Sequence, residues 1–202
     1  MGFETARMEP ADGAELMARV ARDDEGAFDA LVAAYAPRLL RFARRTLGGD
    51  AAEAEDAVQE AFVRVWRARR RWRPSACVST YLFTIVARLC LNRRRWLARR
   101  PALDPIEGEG APAQPGDAAP GPERLAVSRQ LGAALAAELA ALPRNQRAAI
   151  LLRHEGGLRY DEIAAALDTS PGAVESLLSR ARARLRSRLA GWVSEGNPGN
   201  RG

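Results

Sequence analysis

The chain has 202 residues, 31 basic against 25 acidic side chains, and a net charge of +6. That length allows two small domains, each with a modest core. Cys77 and Cys90 form no CxxC pair, and the single histidine, His154, has no ligand partners at metal spacing. A disulfide framework and a zinc site are therefore excluded, leaving the cysteines as core or loop residues and His154 as a helix-end residue. The N-terminus carries no signal-peptide pattern and no apolar run reaches membrane-spanning length. The expectation is a reducing, cytoplasmic compartment and no membrane contact of the chain's own.

Charge distribution says more than the total. All the basic residues are arginine, which a GC-rich coding genome alone can produce. Residues 1–56 carry 7 arginines against 12 acids, whereas residues 57–100 carry 12 against Glu60 alone. Residues 101–122 have four acids and no arginine, and residues 123–202 have 12 arginines against 8 acids. Two basic blocks flanking an acidic stretch suggest two contacts with a polyanion, although solvated helix faces account for most charge runs.

In chain order, the first twenty residues are weakly patterned and read as frayed or as a short helix. Phe28, Leu31, Val32 and Tyr35 take up helical spacing. Pro37 should kink or restart that helix. Leu39, Phe42, Ala43 and Leu47 continue it, and Gly48-Gly49 end it. Asp50 precedes Glu53 by three residues, the pattern of a capping box. In the helix it opens, Val58, Ala61, Phe62 and Val65 form one stripe, while Gln59, Glu60, Arg64 and Arg67 face elsewhere. Pro74 and Ser75 break it. A third helix over about 78–98 carries Leu82, Ile85, Val86 and Leu89 inward, so that three helices can close a bundle.

The stretch PALDPIEGEGAPAQPGDAAPGP, residues 101–122, is a linker by composition. Leu125, Leu131, Leu135, Leu139 and Leu142 then resume helical spacing, and Pro143 opens a helix with Ile150, Leu151 and Leu152 that stops at Gly156-Gly157. A short helix over 160–167 follows. Ser170-Pro171 is a strong start signal, an N-cap serine before a proline at the first helical position. Beyond it Val174, Leu177, Leu178, Ala181, Leu185 and Leu189 share one face. Glu175, Ser179, Arg182 and Arg186 share another, flanked by Ser176 and Arg180. Two helices, a tight turn and an arginine-rich second helix make a helix-turn-helix. Arg182, Arg184, Arg186 and Arg188 lie where phosphates are met, and Glu175 is placed to accept from a cytosine amino group. The bland alternative is a surface hairpin with a solvated face. The fold class is all-α: two small helical domains joined by a flexible Pro/Gly-rich linker.

A helix-turn-helix leaves residues 50–100 unexplained. There Trp66, Trp72, Tyr81, Phe83 and Trp96 interleave with arginines. Aromatic rings stack on unpaired bases while guanidinium groups hold the backbone. Phe83 and Trp96 read as core, Trp72 and Tyr81 as contacts. With EAEDAVQEAF (residues 53–62), FDALVAAYAPRLLRFARRTLG upstream, and LPRNQRAAILLRHEGGLRYDEIAAALDTSPGAVESLLSRARARL downstream, the chain resembles the extracytoplasmic-function (ECF) sigma factors of bacterial RNA polymerase over roughly residues 24–189.

The resemblance implies a division into an N-terminal segment (1–23), region 2 (24–100), linker (101–122), region 4 (123–190) and disordered tail (191–202). It implies core RNA polymerase and promoter DNA as partners, an anti-sigma factor as regulator, and a monomer when free. No cofactor is expected. Asp56, Gln59, Glu60 and Phe62 would dock on polymerase. Trp72, Ser75, Thr80, Tyr81, Arg88, Asn92, Arg93, Arg94 and Arg95 would handle the minus-ten element, the loop from Trp72 to Thr80 capturing a flipped base. Arg153, Tyr160, Ser170, Glu175, Ser176, Ser179, Arg180 and Arg182 would serve the minus-thirty-five element. Tyr81 stands where the family usually has tryptophan, Arg88 where it has asparagine, and Glu175 and Leu177 where basic residues are common.

The tether suits this reading. Some 22 residues reach at most ~70 Å extended, and two turns of B-DNA span about 70 Å. Two rivals stand beside it. An autonomous helix-turn-helix regulator would bind duplex tightly as a symmetric dimer. A nucleic-acid-modifying enzyme would need a metal or an acid/base pair, and the sequence holds no phosphate loop and no Ser/His/Asp set.

Overall fold

A computed structural model describes residues 13–73, 77–97 and 122–195. It contains α1 (Gly13–Val20), α2 (Glu25–Leu47), α3 (Ala51–Ala68), a 3-10 turn (Arg69–Arg71), α4 (Val78–Leu97), α5 (Pro122–Ala140), α6 (Arg144–His154), α7 (Tyr160–Leu167) and α8 (Pro171–Glu195). No strand occurs among the described residues, as the hydrophobic periodicity predicts.

The N-terminal module gathers around α2. Asp24 caps its start by accepting from the Ala27 amide at 2.9 Å. At its end Gly48 and Gly49 adopt φ of 82° and 104°, a left-handed exit that side chains with a Cβ resist. Pro37 does not interrupt this helix, contrary to the expectation of a kink or restart. Pro37 and Ala33, whose carbonyl loses its helical donor, are solvent-exposed or nearly so, so water can take the vacant acceptor. The buried side of α2 presents Leu31, Tyr35, Leu39 and Phe42 to α3 and α4. The leucines and Phe42 each contribute about 1.5–3 kcal/mol by leaving water. The bundle has a fourth member, since α1 inserts Leu16, Met17 and Val20.

Asp50 caps α3, accepting from the Glu53 amide at 3.0 Å. The helix gives way to the 3-10 turn at Arg69, ahead of the proline and serine expected to break it. Pro74 and Ser75 lie outside the described residues, as does linker stretch 101–121.

In the C-terminal module α6, α7 and α8 enclose Leu152, Leu158, Ile163, Val174, Leu178 and Ala181. Ser170 caps α8 by accepting from the Ala173 amide at 3.2 Å, and His154 closes α6, both as expected. Leu131, expected in the apolar stripe of α5, is 42% exposed, whereas Leu139 and Leu142 are buried. Among the described side chains of α5, Leu135 and Leu139 pack on the common core and Leu131 does not.

The two modules do not stand apart. α2 packs on α6 and α4 packs on α7, and one apolar core runs through both. At the seam Gly156 leaves no room for a side chain: a Cβ there would stand 2.7 Å from Leu158 Cδ1 and 3.2 Å from Phe83 Cδ1. Arg147, only 5% exposed, donates to the carbonyls of Ala140 at 2.7 Å, Leu142 at 3.3 Å and Thr46 at 3.4 Å. It thus ties the C-terminal ends of α5 and α2, where helix dipoles favour a cation.

Candidate nucleic-acid and protein interfaces

Three faces carry the residues singled out by sequence. The first is the polar side of α3. Asp56, Gln59, Glu60, Val63 and Arg64 line an open groove completed by Leu89 of α4. Asp56 and Gln59 are exposed, and Glu60 pairs with Arg64 at 2.8 Å. Val63, 41% exposed, adds an apolar patch that sequence reasoning overlooked. Phe62 needs correction. It is 6% exposed and meets the Phe28 ring edge-on at 6.2 Å. One helical step turns it from the groove to the core, so Phe62 supports the face from beneath instead of forming it.

The second face lies on α4. Tyr81, Arg88 and Asn92 follow helical spacing along one side. Trp72 and Tyr81 are half-buried against the core, and burial pushes the Tyr81 hydroxyl above its ordinary range. Phe83 is fully buried, as expected. Thr80 is itself buried, and its hydroxyl stands 3.4 Å from the Glu162 carboxylate. Arg88 is exposed yet donates to the Ala165 carbonyl at 2.7 Å. This face is therefore engaged by α7. Ser75 and the side chains of Arg93, Arg94, Arg95 and Trp96 lie outside the described residues. Just before α4, Arg69 donates to Asp23 at 2.5 Å and lies 4.0 Å from the Trp66 ring. Arg70 pairs with Asp23 as well, and the two arginines hold the Asp23 carboxyl below its usual range.

The third face is the solvent side of α8. Ser170, Glu175, Ser176, Ser179, Arg180 and Arg182 are all exposed there. Ser176 Oγ donates to the Gly172 carbonyl at 3.2 Å, and Arg180 Nε to the Ser176 carbonyl at 3.1 Å. The turn before α8 is set by Asp168, whose φ of 53° is left-handed. Arg153 and Tyr160 are turned inward by comparison. Arg153 donates to the Leu158 carbonyl at 2.9 Å and sits 5.7 Å from the Tyr160 ring, which fixes the loop between α6 and α7. His154 beside it has its pKa lowered by burial and then by Arg182 and Arg153.

Sequence reasoning missed one cluster entirely. Glu155, just beyond α6, is held by three arginines of α2. Arg45 reaches it at 2.7 Å and Arg41 at 3.8 Å, while Arg38 donates to its backbone carbonyl at 3.0 Å. Burial pushes the Glu155 carboxyl up against the opposing pull of Arg45, Arg41 and Arg38. The arginines at 38, 41 and 45 do recur at helical spacing, but nothing local pairs them with a residue 110 positions away. Among the described residues no His/Cys/Asp/Glu group could hold a metal, and no helix is long and apolar enough to cross a membrane.

Comparison with known proteins adds the family. Residues 31–100 match the Sigma-70 region 2 family and residues 132–185 match Sigma-70, region 4. The ECF RNA polymerase sigma factor SigE of Mycolicibacterium smegmatis is 39% identical over 83% of this chain, which spans 63% of that protein's length. The RNA polymerase sigma-H factor of Pseudomonas aeruginosa is 33% identical over 90% of this chain and 95% of its own. Among solved structures, CnrH in complex with the cytosolic domain of CnrY is 30% identical, with a TM-score of 0.59 over 90% of this chain and 99% of that one. RpoE in complex with the anti-sigma factor NepR from Bartonella quintana is 25% identical, with a TM-score of 0.64 over 81% and 96%.

Proposed function

This chain belongs to the ECF sigma factors of RNA polymerase, and on that premise we propose how its residues divide the work of starting transcription. It is an alternative sigma factor that directs transcription initiation, with core RNA polymerase, promoter DNA and an anti-sigma factor as partners. The N-terminal module, residues 24–100, docks on polymerase through Asp56, Gln59 and Glu60, with Val63 as the apolar centre and Phe62 fixing the helix. Its α4 face, with Tyr81, Arg88 and Asn92, takes the opened minus-ten strand, and the stretch from Trp72 to Thr80 captures an unpaired base. Unstacking a base costs a few kcal/mol, which ring and backbone contacts offset.

The C-terminal module, residues 123–190, lays α8 in the duplex at the minus-thirty-five element. Ser176, Ser179 and Arg180 reach base edges, while Arg182 and the arginines beyond it meet phosphates. The linker over 101–122 spans the two sites. The protein works in the cytoplasm and performs no catalysis itself; polymerase supplies the chemistry.

The observation that carries this reading is the pairing of an exposed carboxylate-and-valine groove on α3 with an exposed serine-and-arginine face on α8, in the family's order. Transcription in vitro tests it. Purified chain added to core polymerase should yield promoter-dependent transcripts, and Glu60→Arg should abolish them by weakening assembly. Tight, symmetric duplex binding by the chain alone, without stimulation of polymerase, would point to an autonomous regulator instead.

A further inference from the structure

An exposed carboxylate stands among the arginines that lead to Trp72. Asp23 follows α1 with a left-handed φ of 69°. One of its oxygens accepts from Arg69 Nε at 2.5 Å and the other from Arg70 Nη2. Those partners lie 46 and 47 positions further along the chain. A negative charge beside a strand-binding surface repels phosphate, so Asp23 adds nothing to DNA affinity as such.

Its contribution is geometric. The turn over Arg69–Arg71 is 3-10, a form with poorer hydrogen-bond geometry than an α-helix. It has no side-chain cap at its start, and its three side chains carry like charge. Arg69 holds it in place. Its guanidinium donates to the Trp66 carbonyl at 2.7 Å, lies 4.0 Å from the Trp66 ring and leaves the side chain only 19% exposed. The Arg69 carbonyl in turn accepts the Trp72 amide at 3.2 Å. Contacts therefore run from Asp23 through Arg69 to Trp72. Trp72 is half-buried against the core, with Arg71 and Arg73 exposed on either side.

We propose that Asp23 is a positioning residue for strand capture: by bridging Arg69 and Arg70 it fixes the 3-10 turn and so holds Trp72 where an unpaired base stacks on it. The proposal rests on the reading of Trp72 as a base contact, and on the clamp itself for its mechanism. Both arginines keep the Asp23 carboxyl ionised, Arg70 first and then Arg69. Exposed ion pairs add little to global stability unless they form a network with fixed geometry. Loss of Asp23 is accordingly local in effect: the turn opens more often while the bundle stays folded.

Asp23→Gly is the informative variant, because glycine suits a φ of 69° and removes only the carboxylate. Full-length protein with core polymerase is titrated with two fluorescent single-stranded oligonucleotides of equal length, one of mixed sequence and one abasic throughout; core enzyme alone serves as blank. Both carry the same phosphates, so the ratio of their affinities isolates stacking and cancels the change in net charge. Stacking on one aromatic ring gives the wild type a preference of about tenfold for the oligonucleotide with bases. Trp72→Ala should lower that ratio severalfold, and Asp23→Gly should lower it similarly. The double variant should show little further loss, since both act on one contact. Asp23→Asn, which retains an acceptor for Arg69, should keep an intermediate ratio. Amide hydrogen exchange at Trp72 in the free chain should quicken about tenfold in Asp23→Gly, with Tm nearly unchanged.

A ratio that Trp72→Ala lowers and Asp23→Gly leaves intact would overturn the positioning role alone. So would equal losses on both oligonucleotides, which mark a merely structural residue. Should Asp23→Gly unfold by circular dichroism, Arg69→Gln carries the same test from the other side of the clamp. Failure of the base-contact reading would look different: Trp72→Ala would leave the ratio unmoved, and the proposal would fall with it.

Discussion

The guanidinium of Arg88 ends 2.7 Å from the carbonyl of Ala165, so a side chain assigned to promoter DNA satisfies the backbone of a helix in the other module. The same donor cannot serve a phosphate and this carbonyl at once. Arg88→Ala should therefore weaken strand opening by assembled holoenzyme. If Arg88 meets a phosphate, the salt dependence of binding should fall by about one unit of log-log slope. Salt titration of holoenzyme on a forked promoter fragment measures it.

Two neighbours on α3 should respond in opposite ways. Phe62→Ala empties a site packed against Phe28 and should cost about 3–5 kcal/mol of stability. Glu60→Arg changes a surface pair with Arg64, and stability should move by less than about 1 kcal/mol. Polymerase binding should reverse the ranking: Glu60→Arg loses it, whereas Phe62→Ala retains it at temperatures where the chain stays folded. Thermal melts and a pull-down with core enzyme give both numbers.

Arg147 is buried and spans three carbonyls, those of Ala140, Leu142 and Thr46. Arg147→Ala strands these acceptors and should cost about 3 kcal/mol or more, lowering Tm by about 10 °C. Arg147→Lys should rescue little, since one ammonium cannot reproduce the planar fork. Differential scanning calorimetry of the three proteins tests the ranking.

His154 is the chain's single histidine, so its ring signals are unambiguous in NMR. Burial, then Arg182 and Arg153, lowers its pKa from the ordinary 6.5. The folded chain favours the neutral ring. Its contribution to stability is accordingly whole above about 6.5 and is lost as pH falls through the depressed folded value. The titration midpoint should lie below 6.5 and rise in Arg182→Gln. A midpoint unmoved by that change would remove Arg182 from the ring's surroundings.

Much of this molecule was legible from residues alone. The caps at Asp50 and Ser170, the glycine exit at Gly48 and Gly49, and the inward stripe of α8 are local signals, because capping and periodicity act within a few residues. The exposed α8 face was readable for the same reason. Phe62 lies in the core and not on the α3 groove, since a motif shared with a family marks a helix without saying which of its sides a residue occupies. Pro37 was overread, since whether a missing amide breaks a helix depends on what else can satisfy the freed carbonyl.

What the sequence determined by itself is the set of helices, their caps and the two charged surfaces, each fixed by spacing along the chain. Only the tertiary structure decided that the two modules pack on one another, that Thr80 is buried while Arg88 reaches the Ala165 carbonyl, and that Glu155 meets Arg45. Those pairings join residues separated by 77 to 110 positions. An ion pair across such a distance leaves no periodic trace, because it depends on which surfaces pack together and not on spacing within either segment.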